Sequence, residues 1–428
     1  MNNQLFESFQ TAYRNLELQP LIDQKDLDKF RVEYCHQVIE ELQQLVEDSP
    51  AADSKIMFTG HRGCGKSTLL AEFSKQCKDK YFVVLFSIAD TIEMSDVNHI
   101  NILFAIAVNL MKEADKHNLQ ISKSAKDTFY KWFAEHTQTE INTINAEISI
   151  DFDLIKIIAG KLKTDAIVRE EIKLKFQRRV TELIARINEI AAIIQAAAKK
   201  EIIVIIDDLD KLELGVVNEI YKDNIKALCS PGFHIIYTIP IAALRDKFLK
   251  PIIETETNDQ VVAMPVLKLF AKGDSRQLGA IPRDEVINLF SEILNKRIAK
   301  ELLEVETQKK LIVYSGGVLR ELIRITNECC RICLRLIRRH QEPIINNEIL
   351  EEAINDLRND YALPLGKVDY EILQIIYNKY MPDDPKQSEF LELLHGLHIL
   401  EYRNRQIWYD VHPIIVELLR DRGLSNGS

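Results

Sequence analysis

The residues best suited to chemistry lie in one short run, Gly-His-Arg-Gly-Cys-Gly-Lys-Ser-Thr, at positions 60–68. The run fits the spacing G-x-x-x-x-G-K-[ST] at every fixed position. Glycines let a backbone wrap so that its N–H groups point at an anion, and the lysine and the hydroxyl add a charge and a metal ligand. The pattern predicts a phosphate-binding loop made of Gly60, His61, Arg62, Gly63, Cys64, Gly65, Lys66, Ser67 and Thr68.

The flanking residues supply the elements that such a loop needs. An apolar run, Ile56 to Phe58, precedes it, and the residues that follow Ser67 begin an amphipathic helical pattern. A strand, a glycine loop and a helix in this order place the loop at a helix N-terminus, which favours phosphate. The alternative, a glycine-rich turn that contains Lys-Ser by chance, is disfavoured because the chain has only 14 glycines. We therefore expect ATP to bind here, with Lys66 on the β- and γ-phosphates and Ser67 on Mg²⁺.

A second candidate set follows the apolar run 201–206, which ends in Asp207-Asp208-Leu209-Asp210. Hydrolysis of a nucleoside triphosphate needs a held metal and an activated water. Asp207 is the candidate for holding Mg²⁺ and Asp208 for orienting the water, although an aspartate reaches one methylene less far than a glutamate and predicts slow turnover. The alternative is a solvated turn. For Asp210 we favour a helix cap over contact with a neighbouring group.

Two further polar residues are candidates for sensing the nucleotide. Thr238 ends the next apolar run, where its hydroxyl could reach the γ-phosphate, but threonine is also simply a good strand former. Arg320 follows Gly316-Gly317, a pair that permits a tight turn into a helix. An arginine in that first helical turn could lie over the phosphates, or it could be an ordinary surface residue.

Apolar runs at 81–89, 201–206, 234–239 and 261–265 alternate with helical patterns, which predicts an α/β fold with a parallel sheet. Residues 99–200 interrupt the alternation and are interpreted as a helical insertion. Within it, 147–153 alternates like a short strand or hairpin, and a long helical pattern runs from 165 to 200. The insertion would serve as a spacer or contact a partner.

The pattern divides the chain into four expected parts. They are an N-terminal helical lead-in (1–54), a P-loop NTPase core (55–275), an all-α lid (276–360) and a C-terminal winged-helix domain (361–428). The winged-helix prediction is based on two helical segments, a hairpin pattern of alternating apolar residues on either side of a polar turn at 403–405, and a helix that starts at His412-Pro413.

The segments GHRGCGKST, IIVIIDDLD, IIYTIP and SGGVLR, with a winged helix after them, resemble the AAA+-like ATPases of the origin-recognition and STAND/KAP-type groups. The resemblance spans roughly 55–419 and leaves out 99–200. It implies Walker A roles for Lys66 and Ser67, Walker B roles for Asp207 and Asp208, and sensor roles for Thr238 and Arg320. An arginine finger is not placed, and Arg245 is a candidate by position only.

The charge pattern bears on partners in two opposite ways. Five arginines follow one stripe of the predicted long helix. They could meet phosphates or acidic residues of a neighbouring domain, or they could form an ordinary solvated face. The net charge of −10 and the acidic helix before the wing, with Glu389 and Glu392, argue against DNA. DNA binding therefore remains the less favoured alternative to a protein partner or self-association. The stripe consists of Arg320, Arg324, Arg331, Arg335 and Arg338.

Seven cysteines without regular spacing indicate reduced thiols, and Cys330 and Cys333 are expected to be buried apolar residues rather than metal ligands. Neither a signal peptide nor a membrane span is expected, so we predict a cytoplasmic protein.

Three functions fit these observations. The resemblance implies a regulatory ATPase switch of bacterial signalling or conflict systems, which we favour. The second is a DNA-associated ATPase of the replication-initiation or transposition-regulator type. The third, a binding module that does not hydrolyse, is disfavoured because the phosphate-loop and Walker B residues are intact.

Overall fold

A computed structural model describes residues 3–139, 150–277, 279–403 and 406–423 of the chain. They form two compact units, which interleave along the sequence. We call residues 37–59 and 70–263 the sheet unit, and residues 1–36, 60–69 and 264–428 the loop unit.

The sheet unit is built on five strands in the order β2-β3-β4-β1-β5, with parallel pairing. Since β1, β3 and β4 are buried almost throughout, their sequences are nearly continuous apolar runs, as parallel strands covered on both faces require. The predicted parallel sheet is therefore confirmed. The strands are β1 (Lys55–Gly60), β2 (Tyr81–Ser87), β3 (Glu201–Asp207), β4 (His234–Pro240) and β5 (Val261–Ala263).

Helices surround this sheet. The most buried is α6, which packs against α8, α9, α10 and β2 and contributes much of the apolar core of the unit. The helices that belong wholly or mainly to this unit are α3 (His36–Glu47), α4 (Lys66–Cys77), α5 (Ile88–Thr91), α6 (His99–Lys116), α7 (Lys123–His136), α8 (Ile150–Thr164), α9 (Ala166–Phe176), α10 (Val180–Ala198), α11 (Leu214–Asn218), α12 (Ile225–Cys229) and α13 (Leu249–Glu256).

Two expectations for the insertion were wrong. Residues 150–153 begin helix α8 rather than continue a strand, while 147–149 lie outside the described residues. The long helical pattern from 165 is divided into α9 and α10, because the chain leaves helical geometry at Arg179, where φ is −135°. The predicted helical character of the described part is otherwise confirmed.

The loop unit is mainly helical. Helix α1 packs along α16, and α16 packs in turn on α17. The helix predicted after Gly316-Gly317 is present, since α16 begins directly after this turn. The helices are α1 (Asn3–Asn15), α2 (Gln24–Phe30), α14 (Asp284–Asn295), α15 (Val305–Tyr314), α16 (Leu319–Arg338) and α17 (Asn347–Ala362).

The same unit ends in a C-terminal module, α18 (Lys367–Lys379), α19 (Ser388–His395), β6 (Ile399–Arg403), β7 (Ile407–Val411) and α20 (Pro413–Asp421). Strands β6 and β7 pair in antiparallel fashion. The order helix, helix, hairpin, helix is the one predicted for a winged helix. His412 caps α20 by accepting the N–H of Ile414, with Pro413 in the first turn, as the sequence indicated.

Among the described residues, no helix combines the length and the apolar character that a bilayer crossing requires. The described cysteines are all free thiols, and burial raises the pKa of Cys330 well above its usual value and that of Cys333 to about 12. Both lie buried in α16, as predicted.

Candidate functional site

The phosphate loop continues directly from β1, and its lysine lies within the loop. The Lys66 side chain is only 5% exposed, and its ammonium donates to the carbonyl oxygens of Gly60 and His61, each at 2.9 Å. These bonds hold the ammonium at the centre of the loop, which is the position predicted for contact with phosphate. Ser67 is partly exposed in the first turn of α4, whereas Thr68 is buried.

The start of α16 packs directly on the loop. The Arg320 N–H donates to the Gly63 carbonyl oxygen at 2.9 Å. Gly63 has a φ of +80°, and a Cβ built on it would lie 2.4 Å from the Arg320 Cβ. Only glycine permits both this backbone conformation and this approach. The structure thus brings Arg320 to the loop, as expected, and its sensor role stays a prediction.

The N-terminal segment contacts the other end of the loop. The Tyr34 hydroxyl donates to the Cys64 carbonyl oxygen at 3.4 Å, and the Leu21 N–H donates to the Thr68 hydroxyl at 3.1 Å. Burial raises the pKa of Tyr34 above its ordinary range, so this hydroxyl stays a neutral donor. Residues from the beginning of the chain therefore help to fix the loop.

The C-terminal module contacts the loop through two histidines. The Glu401 N–H of β6 donates to the His61 imidazole Nε2 at 2.7 Å, and Arg62 Nη2 lies 2.8 Å from the Nε2 atom of His395 in α19. Glu401 and His61 are both buried. The loop is thus bonded to segments that lie more than 300 residues away in sequence.

Within the sheet unit, the carboxyl ends of β3 and β4 carry the other predicted residues. Asp207, Asp208 and Asp210 each offer a carboxylate oxygen within 4.8 Å of the others. Asp207 and Asp210 are 8% and 5% exposed. Hard oxygen ligands at this spacing suit Mg²⁺, so the cluster fits the predicted metal, and Asp210 joins it although a capping role was expected.

Asp208 is held more firmly than an exposed turn residue would be. Its carboxylate accepts from the Ser87 hydroxyl at 2.7 Å and forms an ion pair with Lys211 at 2.5 Å. Its backbone has a φ of +69°, the left-handed region that non-glycine residues rarely adopt. Such strain persists where surrounding bonds enforce it, and it concentrates at functional sites.

Thr238 is fully buried beside this turn. Its hydroxyl donates to the Ile206 carbonyl oxygen at 3.2 Å and accepts from the Leu209 N–H at 3.0 Å. The hydroxyl therefore stabilises the backbone on both sides of Asp207 and Asp208. Its predicted contact with the γ-phosphate stays a prediction, as does an arginine-finger role for Arg245.

The arginine stripe faces acidic residues of the neighbouring helix. Arg324 pairs with Asp360 at 3.2 Å and Arg331 with Asp356 at 3.5 Å. Arg335 pairs with Glu352, and the Arg338 guanidinium lies 5.7 Å from the Phe6 ring centre. Helix α17 thus supplies acidic partners for the stripe, although it belongs to the same unit and not to the neighbouring domain that one interpretation expected.

Sequence reasoning missed Tyr34, His395 and Glu401 as residues of the loop environment. Nothing in their local sequence marks them, because they reach the loop only after the chain has folded. Asp210 could have been found, since a third carboxylate beside two candidate ligands favours a metal cluster.

The family described as KAP family P-loop domain matches residues 35–257, just over half of the chain. The chain belongs to the KAP P-loop family. The predicted KAP-type P-loop resemblance is confirmed. The matched segment also includes 99–200, which lies outside the span predicted for the resemblance. As a KAP P-loop protein, the chain has an NTPase fold that supports nucleotide binding, usually with Mg²⁺.

The chain is similar to three solved structures at low sequence identity. The chain is similar to Cdc6p from Pyrobaculum aerophilum, at 11% identity and a TM-score of 0.43, over 95% of this chain and 97% of that one. It is similar to Aeropyrum pernix Orc1 in complex with DNA, at 11% identity and a TM-score of 0.40, over 96% of each chain. It is also similar to a single-residue variant of Thermotoga maritima RuvB, at 13% identity and a TM-score of 0.36, over 90% of this chain and 95% of that one. Comparison with curated proteins found no match.

Proposed function

We propose that this KAP P-loop protein is an ATP-hydrolysing regulatory switch, in which the nucleotide at the phosphate loop controls how the C-terminal module engages that loop. The observation that best supports this proposal is the hydrogen bond from the Glu401 N–H to the His61 imidazole inside the loop. Membership of the KAP family supports the nucleotide-binding part of the proposal.

The loop residues take the binding roles. The Lys66 ammonium binds the β- and γ-phosphates, and the loop N–H groups bind phosphate oxygens together with the start of α4. Phosphate oxygens would compete with the Gly60 and His61 carbonyl oxygens for the ammonium hydrogens. Nucleotide binding therefore changes the bonding of His61, the residue that β6 contacts.

The carboxylates take the roles that hydrolysis needs. Asp207 would hold Mg²⁺ at the carboxylate cluster, with Asp210 as an added oxygen ligand, and the Ser67 hydroxyl keeps its predicted role as the ligand from the phosphate loop. When bound, Mg²⁺ neutralises charge on the phosphates. Asp208 orients the attacking water, but only after its carboxylate is released from Lys211, and turnover is therefore slow.

The switch follows from the three segments that bond the loop. Leu21 and Tyr34 come from the N-terminal segment, Arg320 from α16, and Glu401 from β6. A change in the loop on binding or hydrolysis alters these bonds together. We place such a switch in bacterial signalling or defence, where a protein partner or a second copy of the chain reads it.

The test uses His395, whose imidazole meets Arg62 from the C-terminal module. If the closed module retains nucleotide, His395→Ala removes one bond and speeds dissociation of a fluorescent ATP analogue roughly 2- to 10-fold, the range expected for one hydrogen bond. Stopped-flow measurements give the rate. Lys66→Ala should abolish binding of the analogue.

Glu389→Gln is the matched control, since Glu389 lies on the same helix and its carboxylate bonds Ser388 rather than the loop. It should dissociate at the wild-type rate. Equal rates for His395→Ala, Glu389→Gln and wild type would refute the switch, while Lys66→Ala tests nucleotide binding separately.

The DNA-associated alternative depended on the arginine stripe. Because Arg324, Arg331 and Arg335 are paired with carboxylates of α17, phosphates would have to displace those partners. The ion pairs argue against this alternative, and a gel-shift titration with duplex DNA at low and high salt tests it.

A further inference from the structure

A cavity of about 530 Å³ lies in the loop unit, between α15 and the C-terminal module. This volume falls in the range of small-molecule sites. None of the residues assigned above to nucleotide or metal lines it. Much of its wall is apolar or aromatic and includes Phe270, Val313, Tyr377, Tyr402, Trp408 and Val416.

One end of the cavity carries a cation among aromatic rings. The Arg276 guanidinium lies 4.0 Å from the Tyr377 ring centre and 4.2 Å from that of Tyr380, and it forms an ion pair with Asp410. Trp408 precedes Asp410 by two residues on β7, so both side chains lie on one face of the strand. The Trp408 ring also stacks on Tyr402, with ring centres 4.6 Å apart.

Two buried donors at this end have no acceptor among the described residues. They are Arg276 Nη1 and Trp408 Nε1, and Trp408 is only 3% exposed. Guanidinium and indole nitrogens donate and cannot accept. Buried donors are normally satisfied, and both residues line the cavity, so oxygen atoms of a molecule bound there would supply the missing acceptors.

The charge around these donors favours an anion. The Lys268 ammonium lies 5.4 Å from the Trp408 ring centre, and that of Lys272 lies 5.8 Å from the Tyr380 ring centre. Together with Arg276 they make three positive charges, against the two negative charges of the Asp410 and Asp274 carboxylates. Burial raises the pKa of Asp410 to about 6, so near neutral pH its carboxylate stays largely ionised and paired with Arg276.

We propose that this cavity binds a flat, apolar small molecule that carries an anionic oxygen group, as an aromatic carboxylate or sulfonate does. Its ring system stacks on the aromatic wall of Trp408 and Tyr402, and its oxygens accept from Arg276 Nη1 and Trp408 Nε1. This site is separate from the phosphate loop, so its test does not depend on the proposed switch.

The probe is 1-anilinonaphthalene-8-sulfonate, which joins a flat apolar body to a sulfonate. The chain has two tryptophans, and Trp132→Phe leaves Trp408 as the single energy donor. In nucleotide-free protein, excitation of Trp408 should sensitise the probe's emission in a saturable manner, with one probe bound per chain.

Val313→Phe should fill the cavity and weaken binding about tenfold or more. Leu363→Ser is the matched control, because Leu363 is 89% exposed and does not line the cavity, and it should bind as wild type does. Thermal unfolding checks that each variant folds, and Val416→Phe replaces Val313→Phe if that variant does not.

A second comparison tests the oxygen acceptor. Trp408→Phe, read by direct excitation of the probe, should weaken the sulfonate several-fold and leave the uncharged analogue N-phenyl-1-naphthylamine unchanged, since only the sulfonate uses the indole donor. Equal affinities of wild type and the filled-cavity variant would overturn the site. Equal losses of both probes in Trp408→Phe would overturn the assigned chemistry.

Discussion

Replacing Gly316 or Gly317 with alanine should lower the free energy of unfolding by clearly different amounts, although the two residues are adjacent. Both lie in the left-handed region, with φ of +61° and +85°. The turn they form is bonded at Gly317, whose N–H donates to the Ser315 hydroxyl at 3.2 Å and whose carbonyl oxygen accepts from the Leu267 N–H at 3.3 Å. It leads directly to Arg320 at the phosphate loop.

The difference comes from what each added methyl group would meet. On Gly316, a Cβ would lie 2.6 Å from the Leu400 Cδ1 atom, the end of a side chain that can rotate. On Gly317, a Cβ would lie 1.8 Å from the Leu267 carbonyl oxygen, which is backbone. The left-handed conformation costs about 1–2 kcal/mol at either position, and a collision that shifts backbone adds about 1–3 kcal/mol at Gly317.

We therefore expect Gly317→Ala to lower the free energy of unfolding by about 2–5 kcal/mol and Gly316→Ala by about 1–2 kcal/mol. Thermal unfolding measures the order, since about 1 kcal/mol corresponds to a shift of roughly 2–4 °C in a unit of this size. Gly317→Ala should also weaken binding of the ATP analogue, because displacing the turn moves Arg320 away from Gly63.

Gly160→Ala is the control. Gly160 lies within α8 with no atom near its would-be Cβ, so alanine should leave stability unchanged or raise it. The reasoning would be refuted by equal losses for Gly316→Ala and Gly317→Ala, or by a Gly317→Ala variant that unfolds as wild type does.

Two further predictions concern charged groups. The difference in unfolding free energy between wild type and Asp410→Asn should fall by about 2 kcal/mol as the pH rises from about 4 to 6. The folded-state pKa of Asp410 is raised from 3.8 to about 6, so in this window the folded chain holds a proton that the unfolded chain has lost. Urea titrations across that window test the prediction, and a constant difference would contradict it. Lys211→Ala should raise ATP turnover about 1.5- to 5-fold, because it frees the Asp208 carboxylate from one partly exposed ion pair. A steady-state ATPase assay measures the turnover. Lower turnover in the variant would contradict the prediction and show that Lys211 supports Asp208 instead.

The sheet and the phosphate loop could be predicted because their signals are local. Parallel strands buried on both faces leave continuous apolar runs, and β1, β3 and β4 do so. The Gly316-Gly317 turn and the His412-Pro413 helix start are local in the same sense, since each depends on backbone conformations that few residues adopt.

Features that depend on distant neighbours could not be predicted. The alternation at 147–153 fits a strand, but residues 150–153 belong to a helix that packs on α6, so tertiary packing outweighed the local pattern. The arginine stripe was visible, whereas its acidic partners became identifiable only when α17 was placed beside α16. The bond between His61 and Glu401 joins residues 340 positions apart.

That bond has a consequence for association. Glu401 and Tyr409 face each other across the hairpin, and their N–H groups both point away from the partner strand, to His61 and to the Tyr380 carbonyl oxygen. An unpaired N–H on an edge strand is a template for adding another strand. If the proposed switch opens, the Glu401 N–H loses its His61 acceptor, and this edge of β6 is then where an extended peptide would be added as a third strand.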